Sequence, residues 1–451
     1  MTRQHPRSAR RRAVLAASAA ALGAVLFAAG AVGLAPARGG APGGAGAAVP
    51  GAPAAPAAGA DPVAVETGVL QARLRQSPDD ASALGRLGLD YVQLAKSTAD
   101  PSYYPRAEGV LTRSLALDGA ENFTAMAGMA ALAAGRHEFA GALDWSRRAI
   151  AVNPDNATLY GIQADALTQL GRYPEAFDTI QRMVDLRPGT PSLTRASYSW
   201  ELRGEVETAR QQMARSLDDA STPADRAFAL YHLSQLAFDN GDPRTALTRA
   251  QQGLRVLPGS AELLEGRAKA EAALGDPGAA VADYTRAVAL VPQPGYVLEL
   301  GELLQSLGRQ EEAQQQYQVF RAEEKLLADN GVAMDSDATL FEADHGDPRQ
   351  ALATAEQGLR TRPFLDMHDA RAWALHVNGR DDEALAESVR ANALGMRNAL
   401  FAYHQGVIEK SLGRTAAARA DLARALEINP AFSVRHAPDA RAALRELGAG
   451  T

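Results

Sequence analysis

AELLEGRAKAEAALGDPGAAVADYTRAVALVP, residues 261–292, decides how the rest of the chain is read. It reads as two short amphipathic helices joined by a tight Gly-Asp-Pro-Gly turn. The first helix carries small residues, Ala268 and Ala272, where a partner helix must come close, and Leu274 stands just before the turn. The second places Ala280, Tyr284 and Ala287 on one helical face. Pro292 stops it, because a proline ring cannot continue a helix. Neither helix can bury its apolar stripe alone, so copies must stack.

The copies are found by following the turn glycine. It recurs at Gly135, Gly171, Gly204, Gly241, Gly275, Gly308, Gly346, Gly379 and Gly413, with gaps of 33 to 38 residues. Five residues after each comes an alanine: Ala140, Ala176, Ala209, Ala246, Ala280, Ala313, Ala351, Ala384 and Ala418. A closing proline stands at Pro154, Pro188, Pro258, Pro292, Pro363 and Pro430. A degenerate copy precedes them, with Leu87, Gly88 and Tyr91 in its first helix and Ala107, Leu111 and Leu115 in its second. A period near 34, built as helix–turn–helix with small-residue contacts and a terminal proline, resembles the tetratricopeptide repeat family over residues 79–430. The resemblance implies an all-α, right-handed superhelical solenoid of about ten repeats. It also implies a concave face, lined by the first helices, that takes a protein or peptide partner.

Composition agrees with close helix packing: alanine is abundant and only 6% of residues are aromatic. The chain has no cysteine, which excludes disulfides, thiolate catalysis and cysteine-ligated zinc. Its net charge of −7 hides an asymmetry. Residues 1–60 contain six of the 46 basic residues and none of the 53 acidic ones, so the remainder sets 40 basic against 53 acidic residues. A surface of that sign repels phosphate backbones, and nucleic acid is not an expected partner.

In chain order, residues 1–37 form a basic leader followed by an uncharged apolar run from Ala13 to Ala37. The run is long enough to span a bilayer, and flanking arginines would hold the N-terminus inside, leaving the repeats outside. Against a retained anchor, Ala35-Pro36-Ala37 offers the small residues a signal peptidase reads, and the run is only weakly hydrophobic. Arg11-Arg12 followed by Ala13-Val14-Leu15 also resembles a twin-arginine export signal. A single N-terminal anchor with extracytoplasmic repeats is the preferred reading, and secretion after cleavage is the alternative. Residues 38–60 are almost wholly Gly, Ala and Pro and read as a disordered tether.

The solenoid is expected over 61–430, opening with a capping helix at 61–76, and 431–451 supplies a C-terminal capping segment with a helix from Pro438 to Leu447. The first repeat carries a longer inter-helix segment, residues 96–105, which reads as a loop that either packs down over the repeat edge or exposes Tyr103 and Tyr104. The second helix after Gly308 runs on to about Asn330, where Gly331 ends it. The 38-residue gap there reads as a change of superhelical pitch, a place to divide the array into two arms.

No catalytic signature is present: no phosphate loop ahead of a lysine, no serine elbow and no HExxH. No cofactor or metal is expected. His368, His376 and His404 with Asp366 and Asp369 are the only metal-like grouping, and two of these histidines are about 12 Å apart by helical rise. The groove-facing positions of the resembling family fall on Tyr198, Phe228, Tyr231, Gln235, Phe238, Lys269, Glu302, Trp373, His376 and Tyr403. Rigid aromatics with a few polar neighbours suit a peptide groove. Lys269 lacks the paired asparagine of a clamp for acidic chain termini. The resulting reading is a non-catalytic interaction scaffold of the cell envelope; the alternative is an envelope accessory for metal or small-molecule handling. Mass spectrometry of the protein from membrane fractions is expected to recover peptides from the Met1 side of Ala37, whereas a mature terminus at Arg38 in the soluble fraction would exclude the anchor.

Overall fold

The computed structural model describes residues 62–449. The leader, the apolar run and the tether proposed for residues 1–60 lie outside them. Ten helix pairs follow one another: α2 (Ala81–Thr98) with α3 (Tyr103–Leu117), α4 (Phe123–Gly135) with α5 (Phe139–Val152), α6 (Ala157–Gln169) with α7 (Tyr173–Leu186), α8 (Thr190–Glu201) with α9 (Val206–Asp219), and α10 (Pro223–Asp239) with α11 (Pro243–Val256). The second five are α12 (Ala261–Ala273) with α13 (Pro277–Leu290), α14 (Pro294–Ser306) with α15 (Gln310–Asp329), α16 (Ser336–His345) with α17 (Pro348–Thr361), α18 (Leu365–Val377) with α19 (Asp381–Ala391), and α20 (Ala399–Ser411) with α21 (Thr415–Ile428). α1 (Pro62–Gln76) precedes them and packs on α2, and α22 (His436–Ala449) follows and packs on α20 and α21. The fold of the described residues is an all-α repeat solenoid. No helix among them is long and apolar enough to cross a membrane.

Local chemistry explains the joint within each pair. In the quoted stretch Gly275 takes φ +88°, a left-handed conformation that only glycine adopts without penalty. Asp276 then caps α13, its carboxylate accepting from the Ala279 N–H at 3.1 Å, and Pro277 fills the first helical position, where no N–H is needed. The alanine that follows is what lets the two helices close. Ala176, Ala209, Ala246, Ala280, Ala313, Ala351, Ala384 and Ala418 are all fully buried.

The second repeat departs from the expected register. Ala140 is exposed, and the fully buried counterpart is Ala142. Gly135 still belongs to α4; the left-handed position falls two residues later on His137, at φ +62°. A histidine tolerates this strain because its Nδ1–H donates to the Ala333 carbonyl at 2.8 Å and its ring stacks on Phe139. The first repeat is corrected as well. Tyr103 and Tyr104 open α3 instead of forming a loop, and Tyr104 is buried beneath Gly135.

The contact of His137 with Ala333 belongs to a seam. Ala333 N–H also donates to the Arg136 carbonyl at 3.2 Å. One repeat on, Leu365 N–H donates to the Tyr173 hydroxyl at 2.8 Å, and Arg362 Nε donates to Gln169 Oε1 at 2.6 Å. Further on, Asn429 Nδ2 donates to the Phe238 carbonyl at 2.8 Å. These partners stand 191 to 196 residues apart, between five and six repeats. The solenoid therefore winds tightly enough for each turn to rest on the one before. The inter-helix turns of repeats two to five touch the linkers that follow α15, α17, α19 and α21. The long gap around Gly331 supplies the first of these docked linkers, where α15 meets α16 through Tyr317 and Phe320 against Phe341.

Arg362 is the most deeply buried large side chain of the seam, at 1% exposure. It lies between the rings of Phe139 and Phe364, at 5.2 and 4.2 Å, and pairs with Asp335 at 3.3 Å. Glycine is required twice over along this line. A Cβ on Gly171 or Gly204 would sit 2.4 Å from the carbonyl oxygen of Pro363 or Gly395, while one on Gly379 or Gly413 would meet nothing within 4 Å. Gly379→Ala is expected to cost only the left-handed strain, roughly 1–2 kcal/mol. Gly204→Ala adds a seam clash of about 1–3 kcal/mol. Denaturant unfolding of the two variants checks the difference, with equal losses counting against a packed seam.

Candidate functional site

Because turn rests on turn, the face formed by the first helices becomes the wall of an enclosed interior. Its clearest hollow is a cavity of about 670 Å³, bounded by α10, α12, α14 and α16 and closed by the segment that runs from Pro430 into α22. Phe238, Lys269 and Glu302, three of the expected groove residues, line it together. Lys269 Nζ pairs with Glu265 at 2.5 Å and with Glu299 at 2.8 Å. Gln235 Nε2 donates to Glu265 Oε2 at 2.9 Å and to the Tyr231 hydroxyl at 2.8 Å. Tyr231, Gln235 and Lys269 thus form one polar network, with Phe228 beside it against His232. Glu302 is bound to His345 at 3.0 Å.

The other expected residues are engaged differently. Trp373 is buried, stacked on His404 at 4.3 Å, and its Nε1–H donates to Asp344 at 2.9 Å. Tyr403 is buried with it beneath Phe432 and α22. Tyr198 is buried across the seam with Tyr173, Leu365 and Phe401. Half-buried His376 is bonded to Asp381 at 2.6 Å. The histidines of the metal-like grouping point to different carboxylates: His368 to Glu387, His376 to Asp381 and His404 to Asp369. Among the described residues no group of three or more such side chains is placed to hold a metal ion.

Of the raised interior carboxylates, the sequence reading singles out Asp366 alone, as part of a metal-like grouping. Glu201, Asp239, Glu299, Asp337 and Asp366 lie on first helices, and Glu324 on α15. Desolvation within the superhelix raises all six, although Asp239 keeps an exposed side chain and the other five are half-buried, and repulsion from neighbouring carboxylates adds to it. Asp239 and Asp366 are pushed up to about 6, Glu201 and Glu299 to about 7, and Glu324 and Asp337 to about 8. Lys269 opposes the shift of Glu299, and Arg362 that of Asp337. Lys96 is lowered to about 8, by burial first and by Arg195 as well, though Asp165 opposes the shift. Asp344 is the exception: burial would raise it, but hydrogen bonds from His436 and Trp373 and the Arg435 charge hold it near 2. Spacing held a usable signal, since Asp165, Tyr198, Gln235, Lys269, Glu302 and Trp373 each stand six residues before a turn glycine.

Comparison with known proteins bears on this architecture. The family model described as "Tetratricopeptide repeat" matches residues 126–191, 231–294 and 342–393, and a second model of the same description matches 401–432. Over those residues the chain carries tetratricopeptide repeats. The unmatched pairs α2/α3, α8/α9 and α14/α15 continue the repeats in the same arrangement. Among solved structures, the APC/C hetero-tetramer Cut9–Hcn1 is similar at 15% identity, covering 85% of this chain and 66% of that one, with TM-score 0.40. The TPR domain of P58(IPK) is 17% identical, covering 73% of this chain and 98% of that one, with TM-score 0.23. A tetratricopeptide repeat protein from Parabacteroides merdae is 16% identical, covering 57% and 98%, with TM-score 0.34. None of the curated proteins compared matches the chain.

The raised carboxylates set the sign of the pH dependence. Between their unfolded values near 4 and their folded values of about 6 to 8, the native repeats bind more protons than the unfolded chain. Stability contributed by these groups therefore falls as pH rises through that window. Thermal unfolding from about pH 5 to about pH 8.5 is expected to show a declining Tm, and a rising Tm would contradict the crowded interior.

Proposed function

We propose that the protein is a non-catalytic interaction scaffold that holds an extended segment of a partner protein inside its superhelix. The supporting observation is the interior itself. Tyr231, Gln235 and Lys269 are fixed by one polar network through Glu265, with Phe228 beside it, next to a cavity of about 670 Å³. A pre-formed wall of this kind loses little entropy on binding, so a few side chains carry most of the affinity. The seam closes the wall between successive turns, leaving the interior to be entered along the superhelix axis. That suits an extended segment better than a folded domain.

Placement at the cell envelope, with the repeats outside an N-terminal anchor or released by cleavage, belongs to the same proposal. Its support is the arginine leader and the apolar run of residues 1–37. Tetratricopeptide repeat proteins bind protein partners in general, which favours a scaffold over an enzyme.

The test is crosslinking and pull-down with full-length protein, compared with the triple variant Phe228→Ala, Tyr231→Ala, Gln235→Ala. Trp373 and Tyr403 are left intact because they are packed core. A partner captured by the wild type should be weakened at least about tenfold in the variant at unchanged Tm, a change of about 1.4 kcal/mol. Equal capture would place the binding face elsewhere.

A further inference from the structure

Six consecutive repeats each bring one carboxylate of the first helix to the interior: Glu201, Asp239, Glu265, Glu299, Asp337 and Asp366. They form a continuous ladder, because each acts electrostatically on the next. Asp239 acts on Glu201, Glu265 on Asp239 and on Glu299, and Glu299 and Asp366 on Asp337. Lys269 bridges two rungs, Glu265 and Glu299. Among the described residues, no cation lies within 4 Å of the carboxylates of Glu201, Asp239, Asp337 or Asp366, and Glu299 Oε2 is enclosed without a hydrogen-bond partner. Like charges in a row and partly out of water repel one another, and an entering cation would relieve them.

A second, independent observation lies where the ladder meets the cavity. His404 and His436 both line it and are 0% and 6% exposed. One ring nitrogen of each is bonded to a carboxylate: His404 Nδ1 to Asp369 at 2.8 Å and His436 Nε2 to Asp344 at 3.0 Å. The other nitrogen, His404 Nε2 or His436 Nδ1, has no partner. A buried polar atom without a partner is costly, so both nitrogens call for one, as Glu299 Oε2 does. Carboxylates outnumber cations along the ladder, where Lys269 stands between Glu265 and Glu299, and Arg441 is the other such cation in the cavity wall. The rest of the cavity wall is largely apolar, with Phe341 and Phe432 prominent.

We propose that the interior is a track for a basic segment of a partner polypeptide. Its lysine or arginine side chains lie along the acidic ladder, and an apolar side chain between them enters the cavity. The commitment to a basic polypeptide rests on charge complementarity and donor supply, and it builds on the scaffold reading above. Nucleic acid is disfavoured by the same charges.

The test is to probe full-length protein with an array of short synthetic peptides of acidic, neutral and basic composition, then to titrate the best binders by fluorescence anisotropy. Bound peptides should be those that combine arginine or lysine with leucine or phenylalanine, and affinity should drop steeply from about 50 mM to about 500 mM NaCl. The double variant Asp239→Asn, Asp337→Asn removes two carboxylates that neighbouring rungs repel, so its Tm should hold or rise while affinity falls at least about tenfold. Neutral or acidic binders, or a double variant that binds like the wild type, would overturn the basic track and leave the scaffold standing. Preferential binding of a peptide of the chain's own residues 1–12 would overturn the assignment to a partner. An array with no bound peptide would overturn the scaffold together with it.

Discussion

Contact between successive superhelical turns is the constraint on which the rest of this structure depends. A tetratricopeptide array can wind openly, with its concave face a groove exposed to solvent, or tightly, with turn resting on turn. Here Arg362, Tyr173, His137 and Asn429 join residues about 190 positions apart. The result is a wall in place of a groove. A cation buried at 1% exposure is costly to desolvate, and Arg362 is tolerated because Asp335, Gln169 and two aromatic faces surround it. Such an arrangement is demanding about geometry, which suits a device that sets superhelical pitch.

Enclosure is also what gives the interior its chemistry. The same carboxylates on an open groove would be solvated and ordinary. Lined up on successive first helices and partly desolvated, they are raised towards neutral pH, and the interior becomes responsive to protons and to cations. The crossing segment from Pro430 to Arg441 converts part of this face into a cavity and sets two carboxylate-bound histidines in its wall. Seam, ladder and cavity are therefore consequences of one packing decision.

Much of the repeat architecture was legible in the sequence. The Gly-Asp-Pro turns, the buried alanine five residues on and the long second helix ending at Asn330 each follow from rules that act within a few residues. Misreadings arose where a local rule met a distant partner. Gly135 looked like the turn glycine of the second repeat, but Ala333 holds His137 in the left-handed position, shifting the buried alanine from 140 to 142. Of the groove residues, Tyr231, Gln235 and Lys269 were placed in one network, while Trp373 and Tyr403 were drawn into a core with Phe432 and α22. Nothing in the period of a helix pair tells which of its aromatics a later segment will cover.

By itself the sequence determined that these residues fold as stacked helix pairs, since capping, left-handed glycine and small-residue contacts are decided within one period of about 34 residues. It determined the excess of acid too, as composition alone. Only the tertiary structure decided how many repeats complete a turn, because that number is the sum of small inter-repeat rotations that no single repeat encodes. It likewise decided which carboxylates stand beside one another, because each of the six residues from Glu201 to Asp366 meets the next only where one repeat stacks on its neighbour. Local chemistry acts over a few residues, whereas pitch and charge alignment accumulate along the whole array.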